Sequence, residues 1–282
     1  MMEQNLYWKY NFANKSLNSI NLPTSNKDLN EIISGLPSGV FTTIRTKSKT
    51  RAFQISSHLQ RLEESINLSG EEFHYSINDL RPALLEILKL QIGNEHRIRF
   101  HMPLNELSTC YIFVEKFLPY SEYYYTNGVL VKTNQLMRLN PKAKLSNFLK
   151  LSLEEKKYLA EIGMEESLIL DENQFILEGL SSNFFGIMEN QIWTAEKNIL
   201  NGITRKIVIS EAQNIGMEIK FEPINLSELP KLDEAFITST SRKIMPIKQI
   251  DSFMIGNGRP GPITKRLMNV FKKRFLQEFE KI

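Results

Sequence analysis

The chain has 282 residues, of which 41% are hydrophobic and 24% charged, and its formal net charge is +3. These are ordinary globular values, and the evenly spread charge excludes the basic footprint of a nucleic-acid-binding protein. A single cysteine, Cys110, excludes an intrachain disulfide framework, and no stretch approaches the ~18 apolar residues of a membrane span. We therefore expect a cytoplasmic protein without nucleic-acid or membrane partners, and the spacing of its four histidines predicts no metal site.

The first 117 residues alternate short β-rich runs with amphipathic helical patterns. This mixture predicts a small α/β domain over residues 1–117. Its predicted elements are a hairpin over 4–24, a helix over 28–35, strands over 39–47, 51–55, 96–102 and 109–117, a helix through Leu59 and Leu62, and a helix over 77–90.

The stretch 118–127 contains Pro119 and many polar residues and has little periodicity. It is typical of an interdomain linker, and a long loop inside one domain is the alternative. The rest, 128–282, predicts a larger domain with helices over 147–163 and 203–216, a meander of strands over 166–195, strands over 234–240 and 243–250, and a C-terminal helix over 263–279. The predicted fold class is therefore α/β (α+β) with two domains.

The segment from Phe175 to Ile209 holds the first chemical signal. Glu178 is flanked by apolar residues, so its carboxylate needs a cationic partner, either a protonated ring nitrogen of a ligand or an arginine. Near the end of the same segment, Asn201 and Gly202 directly precede a predicted helix. A helix N-terminus presents free N–H groups to an anion, although an Asn-Gly pair also serves as an ordinary cap.

Two further groups favour an anion such as a phosphate. A run of hydroxyl residues, 238–241, follows an apolar strand, and Arg61 lies on an amphipathic helix. Hydroxyls, backbone N–H groups and a guanidinium all bind phosphate oxygens. A solvated strand end and a surface arginine are the alternatives for these two features.

The candidate nucleophile is Lys144, which stands among Ala143, Leu145 and Phe148 where a loop passes into a helix. Partial removal from water disfavours a charged ammonium and makes the amine a better nucleophile towards a carbonyl. Lys142 and Lys150 are the nearby alternatives.

Three motifs, ILEGLSSNFFGI, LNGITR and EAFITSTSRKIMPI, occur in an order and spacing that resemble the class IV (fold type IV) pyridoxal-phosphate enzymes. That family includes branched-chain aminotransferases, D-amino acid aminotransferases and aminodeoxychorismate lyases. The resemblance extends from about Tyr7 to the C-terminus. It implies a small α/β domain, a larger pseudo-barrel α/β domain, pyridoxal 5'-phosphate as cofactor, and a homodimer whose partner chain completes the pocket.

The resemblance also implies roles for matching positions. Lys144 is similar to the Schiff-base lysine that moves a proton during the reaction, and Glu178 to the carboxylate on the pyridine nitrogen. Arg61 is similar to the phosphate-binding arginine. The other implied cofactor contacts are Ser182, Asn183, Leu200, Ile203, Thr204, Ser239 and Thr240.

The resemblance is looser for the substrate. Strand GVFTTIR carries Thr42-Thr43, which resembles the lyases, in which the second threonine assists proton transfer, so that Thr43 is a candidate catalytic residue. The candidate substrate contacts are Phe41 and three arginines that could pair with a carboxylate, Arg97, Arg99 and Arg242. Arg97 and Arg99 have the same parity on a strand and are expected to face one way.

The primary hypothesis is an amino-acid aminotransferase that uses a Lys144 Schiff base and acts on amino acids and 2-oxo acids. The alternative is an aminodeoxychorismate lyase that releases pyruvate and 4-aminobenzoate. A non-enzymatic binding protein that has kept the fold is a third interpretation, which the presence of both Lys144 and Glu178 disfavours.

Overall fold

The computed structural model describes residues 7–21 and 29–282. The described chain divides into two compact units that interleave along the sequence. Unit 1 takes the described residues up to Leu118 together with Ala143–Leu151 and Gln277–Ile282, and unit 2 takes Pro119–Lys142 and Ser152–Leu276. The predicted boundaries at residues 117 and 128 stay a prediction; within the predicted linker, Glu122–Asn127 form a short helix, α4.

Unit 1 is built on a seven-stranded antiparallel sheet with the order β17-β4-β3-β5-β6-β1-β2. Its strands are β1 (Tyr7–Asn11), β2 (Ser16–Ile20), β3 (Gly39–Ser48), β4 (Arg51–Phe53), β5 (His96–Pro103), β6 (Thr109–Lys116) and β17 (Phe279–Lys281). Its helices are α1 (Leu29–Ser34), α2 (Ile55–Asn67) and α3 (Leu80–Leu90), and a 3-10 turn, Ile77–Asp79, precedes α3.

The sequence periodicity explains the core of unit 1. Alternate residues of β3 and β5 face helices α2 and α3, which turn their apolar stripes towards the sheet. The core contains Val40, Ile44, Ile98, Phe100, Leu59, Leu62, Leu84 and Leu88, all at most 1% exposed. The predicted hairpin is confirmed by β1 and β2, although residues 4–6 and 22–24 of it, and residue 28 of the predicted helix, lie outside the described residues.

Unit 2 contains a ten-stranded mixed sheet. Its strands are β7 (Val129–Asn134), β8 (Glu166–Leu170), β9 (Phe175–Gly179), β10 (Asn183–Met188), β11 (Gln191–Trp193), β12 (Ile219–Lys220), β13 (Ile224–Asn225), β14 (Glu234–Ser239), β15 (Lys243–Ile250) and β16 (Phe253–Met254). Six of them follow the order β10-β14-β15-β7-β8-β9, and β9 pairs back to β10 through Glu178 and Asn183. This ring confirms the predicted pseudo-barrel.

Three longer helices accompany these strands: α5 (Asn147–Glu161), α6 (Ile203–Asn214) and α7 (Pro262–Gln277). The helix predicted over 263–279 ends earlier, because Phe279–Lys281 form β17 and pair with β4. A 3-10 segment, Leu226–Lys231, was not predicted; Asn225 and Glu228 form a capping box at its start.

Candidate active site

Lys144 is held by its main chain at the edge of β3. Strand β4 pairs only with the end of β3, from Thr46 onward, so the first part of that edge is open. The segment 143–146 covers it: Phe41 N donates to Lys144 O at 3.0 Å, and Ser146 N donates to Gly39 O at 2.8 Å. Gly39 N in turn donates to Ser146 Oγ at 3.0 Å. The strand edge therefore fixes the backbone of Lys144.

The side chain of Lys144 is half-buried, whereas Lys142 and Lys150 are more exposed. Its Nζ lies 4.8 Å from the centroid of the Phe41 ring. Its backbone N donates to Ser65 Oγ at 3.1 Å, which ties the segment to helix α2. Among these three lysines, Lys144 is therefore the one whose amine is held against an apolar ring.

Arg61 lies one helical turn after His58 on α2, and both contact β3. Arg61 Nη2 donates to Thr42 Oγ1 at 2.8 Å and lies 3.1 Å from His58 Nδ1. His58 Nδ1 is also 2.9 Å from Thr42 Oγ1. Burial, with the positive charges of Arg61 and Lys144, holds the pKa of His58 well below its usual range.

The opposite face of β3 carries Thr43, which pairs with Arg99 of β5. Arg99 is buried; its Nε donates to Thr43 Oγ1 at 3.1 Å and its Nη1 to Asn30 Oδ1 at 2.8 Å. Its guanidinium carbon lies 5.4 Å from the Phe41 ring centroid. Phe41, Thr43 and Arg99 therefore form one continuous surface. Arg97 shares this face, as its strand parity predicts, and forms an ion pair with Glu115 at 2.5 Å.

In unit 2, the buried carboxylate of Glu178 accepts hydrogen bonds from groups on separate segments of the chain. Arg138 Nη1 donates to Glu178 Oε1 at 2.7 Å. Asn183 Nδ2 and Leu200 N both donate to Oε2, at 3.2 and 3.1 Å. An arginine thus contacts Glu178, one of the two partners that its apolar flanks predicted. Sequence reasoning missed Arg138, because a residue 40 positions away in an irregular segment carries no local signal.

Asn183 also joins Glu178 to the start of helix α6. Its Nδ2 donates to Leu200 O at 2.8 Å. A Cβ on Gly202, the N-cap residue, would lie 2.1 Å from Asn183 Oδ1, so a side chain there would displace the Asn183 amide. The buried Thr204 hydroxyl, in the first turn of α6, has no hydrogen-bond partner among the described residues, and neither has the Thr238 hydroxyl, on the strand that pairs with Asn183. Buried hydroxyls without a partner suit a ligand that supplies a hydrogen-bond acceptor or donor near this helix start.

The turn 239–242 holds two more predicted cofactor contacts, Ser239 and Thr240, which are half-buried. Arg242 N donates to Ser239 Oγ at 3.2 Å. The Arg242 side chain is buried against acids: its Nε lies 2.8 Å from Glu165 Oε1 and its Nη1 3.4 Å from Glu166 Oε2. These carboxylates raise the pKa of Arg242 above its ordinary value against the opposing effect of burial.

Ser182, another predicted cofactor contact, belongs to the same acid-rich cluster as Arg242. Its Oγ donates to Glu166 Oε2 at 3.0 Å, and Arg242 Nη1 donates to Ser181 Oγ at 2.9 Å. Leu200 and Ile203 are buried beside Glu178 and at the start of α6, respectively. Sequence reasoning missed both His58 and Glu166. The local signal for His58 is its position in HLQRL, three residues before Arg61 and therefore on the same face of the helix.

The described residues contain no group of three or more His, Cys, Asp or Glu side chains that could hold a metal ion. Among the helices that the structure describes, none has the length and apolarity to cross a membrane.

Comparison with known proteins identifies the family. The family model "Amino-transferase class IV" matches residues 39–250. A D-alanine aminotransferase of Bacillus licheniformis is 31% identical over 260 residues, covering 86% of this chain and 89% of that protein. Matches to branched-chain aminotransferases are partial: the Escherichia coli enzyme is 33% identical over 120 residues, covering 42% of this chain and 39% of the enzyme. A Methanocaldococcus jannaschii relative also matches over only 47% of its own length.

Solved structures show the same fold. A branched-chain aminotransferase from Thermoproteus uzoniensis, solved with norvaline, superposes with a TM-score of 0.78 at 23% identity, covering 98% of this chain and 99% of the other. The Escherichia coli enzyme gives a TM-score of 0.79 at 23% identity, covering 98% of this chain and 96% of the other. The predicted fold class is confirmed by these structures, and the predicted family by the sequence match. This chain therefore belongs to the class IV aminotransferases, a family of pyridoxal-phosphate-dependent enzymes.

Proposed function

We propose that this chain transfers amino groups between amino acids and 2-oxo acids, with Lys144 as the residue that binds pyridoxal 5'-phosphate covalently. The observation that carries the proposal is the placement of Lys144. Its backbone is fixed on β3 and α2, and its half-buried Nζ lies over the Phe41 ring. A lysine held in this way keeps its amine in one place and partly out of water, as a nucleophile and proton carrier requires.

The start of helix α6 in unit 2 supports a phosphate-bearing cofactor. Its phosphate would match the N-terminus of α6, where Ile203 and Thr204 lie and where the Thr204 hydroxyl is buried without a partner among the described residues. The family resemblance adds Arg61, Ser239 and Thr240 as further donors. When bound, pyridoxal phosphate supplies an electron sink for carbanion chemistry at the substrate α-carbon.

Glu178 would hold the pyridine nitrogen, and its neighbours would keep it in place. Arg138 contacts one carboxylate oxygen, whereas Asn183 and the backbone of Leu200 contact the other. Three donors from three separate segments leave the buried carboxylate little freedom to rotate. Ser182 would support this region indirectly, because its hydroxyl is bound to Glu166.

Among the three arginines, we propose Arg99 for the substrate carboxylate. Arg99 lies against Phe41, the ring that contacts Lys144, and donates to the neutral oxygens of Thr43 and Asn30.

Arg99→Gln is expected to raise KM for carboxylate-bearing substrates roughly 10- to 100-fold, the loss of one charge-assisted contact. Steady-state kinetics with a saturating amino acceptor measures this change. Arg97→Gln is the matched control on the same strand face and should leave KM within about twofold. An unchanged KM in Arg99→Gln would assign the carboxylate to another residue.

Transamination is favoured over the lyase alternative. The relatives described above are D-alanine and branched-chain aminotransferases. Thr43, whose presence motivated the lyase alternative, accepts a hydrogen bond from Arg99 and so has a place in the substrate-facing surface without any lyase role. Release of pyruvate from aminodeoxychorismate by the wild type, absent in Thr43→Ala, would reverse this preference.

Two measurements test the proposal. Single-turnover absorbance changes with a panel of L- and D-amino acids should show consumption of the aldehyde form of the cofactor by at least one member. Borohydride reduction followed by peptide mapping should place the label on Lys144. Lys150→Ala is the matched control and should keep the label, whereas Lys144→Ala should lose it; label on Lys142 or Lys150 would refute the assignment.

We also propose a homodimer, which rests on the family resemblance, and a cytoplasmic location, which rests on the single cysteine of the chain. Sedimentation at micromolar concentration should give twice the mass of one chain, 32.8 kDa. A monomer at all concentrations would refute the dimer.

A further inference from the structure

His58 is a fully buried polar side chain to which the proposed function assigns no role. It is 0% exposed and lies on α2 three residues before Arg61, so the two side chains share one face of the helix. Its Nδ1 lies 3.1 Å from Arg61 Nη2 and 2.9 Å from Thr42 Oγ1. Thr42 Oγ1 also accepts from Arg61 Nη2 at 2.8 Å. Histidine, threonine and arginine thus contact one another in a closed triangle.

The donor count fixes the state of the imidazole. A guanidinium nitrogen can only donate, so the contact with Arg61 requires Nδ1 to be an acceptor. We infer that the neutral imidazole carries its proton on Nε2, which is buried and has no hydrogen-bond partner among the described residues. Complete burial, together with the Arg61 and Lys144 charges, opposes protonation and keeps the pKa of His58 well below its ordinary value. A second proton would turn the acceptor into a donor and place two cations in contact.

The chemistry of the two acceptors matters for anion binding. The Thr42 hydroxyl and the His58 nitrogen are both neutral, so they orient the guanidinium without cancelling its positive charge. A carboxylate in the same place would form a bidentate ion pair and compete with an incoming phosphate. Neither of these two acceptors therefore competes with an anion for the guanidinium.

We propose that His58, together with Thr42, is a positioning residue that sets the Arg61 guanidinium for the phosphate of the cofactor. The inference rests on the proposed function, which assigns Arg61 to that phosphate. It deepens that proposal by naming what holds Arg61 and in which protonation state. His58 does not itself touch the reacting atoms; it acts through Arg61.

The test compares two ligands that differ only in the phosphate, pyridoxal 5'-phosphate and pyridoxal. The readout is the dissociation constant of the apoprotein for each, measured by absorbance titration. In His58→Leu the affinity for pyridoxal 5'-phosphate should fall roughly 10- to 100-fold, the effect of a mispositioned charged contact. The affinity for pyridoxal should stay within about twofold, because Arg61 has no phosphate to bind.

His58→Asn is the matched variant, since asparagine has nearly the shape of leucine and restores an acceptor near the Nδ1 position. It should recover most of the phosphate-dependent affinity. Thr42→Val, which removes one hydroxyl at constant shape, should lower the same affinity by a smaller factor. His96→Leu removes another buried histidine of unit 1, one whose ring contacts Ile92 O, and should change neither affinity.

Each outcome decides the proposal. Equal losses for both ligands in His58→Leu, or no loss for pyridoxal 5'-phosphate, would overturn it, and Thr42→Val decides it in the same way if His58→Leu does not fold. Arg61→Gln separates the two levels. If the wild type binds pyridoxal 5'-phosphate and Arg61→Gln loses the phosphate preference while the His58 variants keep it, the positioning role fails and the proposed function stands. A wild type that binds neither ligand would refute the proposed function itself.

Discussion

At the scale of single residues, the candidate site is defined by how buried polar groups are satisfied. Glu178 and Arg138 are 3% and 10% exposed in their side chains and lie 2.7 Å apart. Such a pair adds little net stability, because desolvation offsets the Coulomb attraction, whereas removing one partner is strongly destabilising. The pair is therefore better understood as a device that fixes the direction of the Glu178 carboxylate than as a source of folding energy.

His101 provides a pH-dependent test at the same scale. Burial, the main cause, and the nearby Arg99 charge lower its pKa to about 4, against the opposing effect of its hydrogen bond to Pro37 O. Between that value and the ordinary 6.5 the unfolded chain binds a proton that the folded chain does not, so the free energy of unfolding should fall as the pH drops through this window. The expected loss from His101 is up to about 3 kcal/mol.

Urea unfolding at several pH values between the neutral range and the lowered pKa measures this slope. His101→Gln keeps a donor for Pro37 O but does not titrate, so its profile should be flatter by the stated amount. His58 contributes in the same direction and is unchanged in that control. The idea fails if His101→Gln has the wild-type slope.

At the scale of elements, the N-terminus of helix α6 packs closely against the first residue of β10, Asn183. Gly202 has a φ of −64°, a backbone conformation that any residue can adopt. What excludes a side chain is the Asn183 amide, whose oxygen would lie 2.1 Å from an added Cβ. The Asn-Gly pair in the sequence is therefore a packing requirement as well as a helix start.

Gly202→Ala should consequently displace the Asn183 amide and weaken its bonds to Glu178 and Leu200. The expected cost is about 1–3 kcal/mol of unfolding free energy, the usual penalty for buried polar groups that lose partners. The affinity for pyridoxal 5'-phosphate should fall as well. Gly35→Ala is the control, because its Cβ would meet Ile32 O at an ordinary 3.4 Å, and it should change stability by less than about 0.5 kcal/mol. Equal behaviour of the two variants would show that the close contact has no effect.

Strand β3 carries candidate site residues of unit 1 on both of its faces. One face carries Phe41 and Thr43, next to Lys144 and Arg99, while the other carries Thr42, which binds Arg61. The alternation of strand side chains thus puts Phe41 and Thr43 on one face and Thr42 on the other. The two adjacent threonines therefore have different partners, Arg99 for Thr43 and Arg61 for Thr42.

At the scale of the whole molecule, each unit has its own apolar core and sheet. The single thiol of the chain, Cys110, lies in the unit 1 core at 0% exposure, and burial raises its pKa. A buried thiol with a raised pKa is unreactive, because the thiolate is the nucleophile. The rate at which Cys110 reacts with a thiol reagent therefore measures how often unit 1 opens.

Thiol titration with Ellman's reagent should find almost no reaction in the folded protein and one thiol per chain in about 6 M guanidinium, a concentration that unfolds most domains. Cys110→Ala should give no signal in either condition. Rapid reaction of the folded wild type would show that unit 1 opens far more often than its core indicates.

The sequence by itself determined the periodicities, the helix starts and the chemical types at the key positions. Local physics suffices there: alternation predicts β3 and β5, and an Asn-Gly pair predicts the start of α6. The context of Lys144 makes it the candidate nucleophile, with Lys142 and Lys150 as the alternatives. The three motifs of the larger unit were enough to predict the family and its cofactor, which the comparisons confirm.

The tertiary structure alone decided which of those groups meet. Arg138 reaches Glu178 across 40 residues, Glu178 and Asn183 close the strand ring, and the open edge of β3 receives the Lys144 segment. Arg97 and Arg242 likewise meet acidic partners, Glu115 and Glu165, that no local pattern marks. Partners distant in sequence are chosen by packing and register, and neither is encoded in the few residues around a motif.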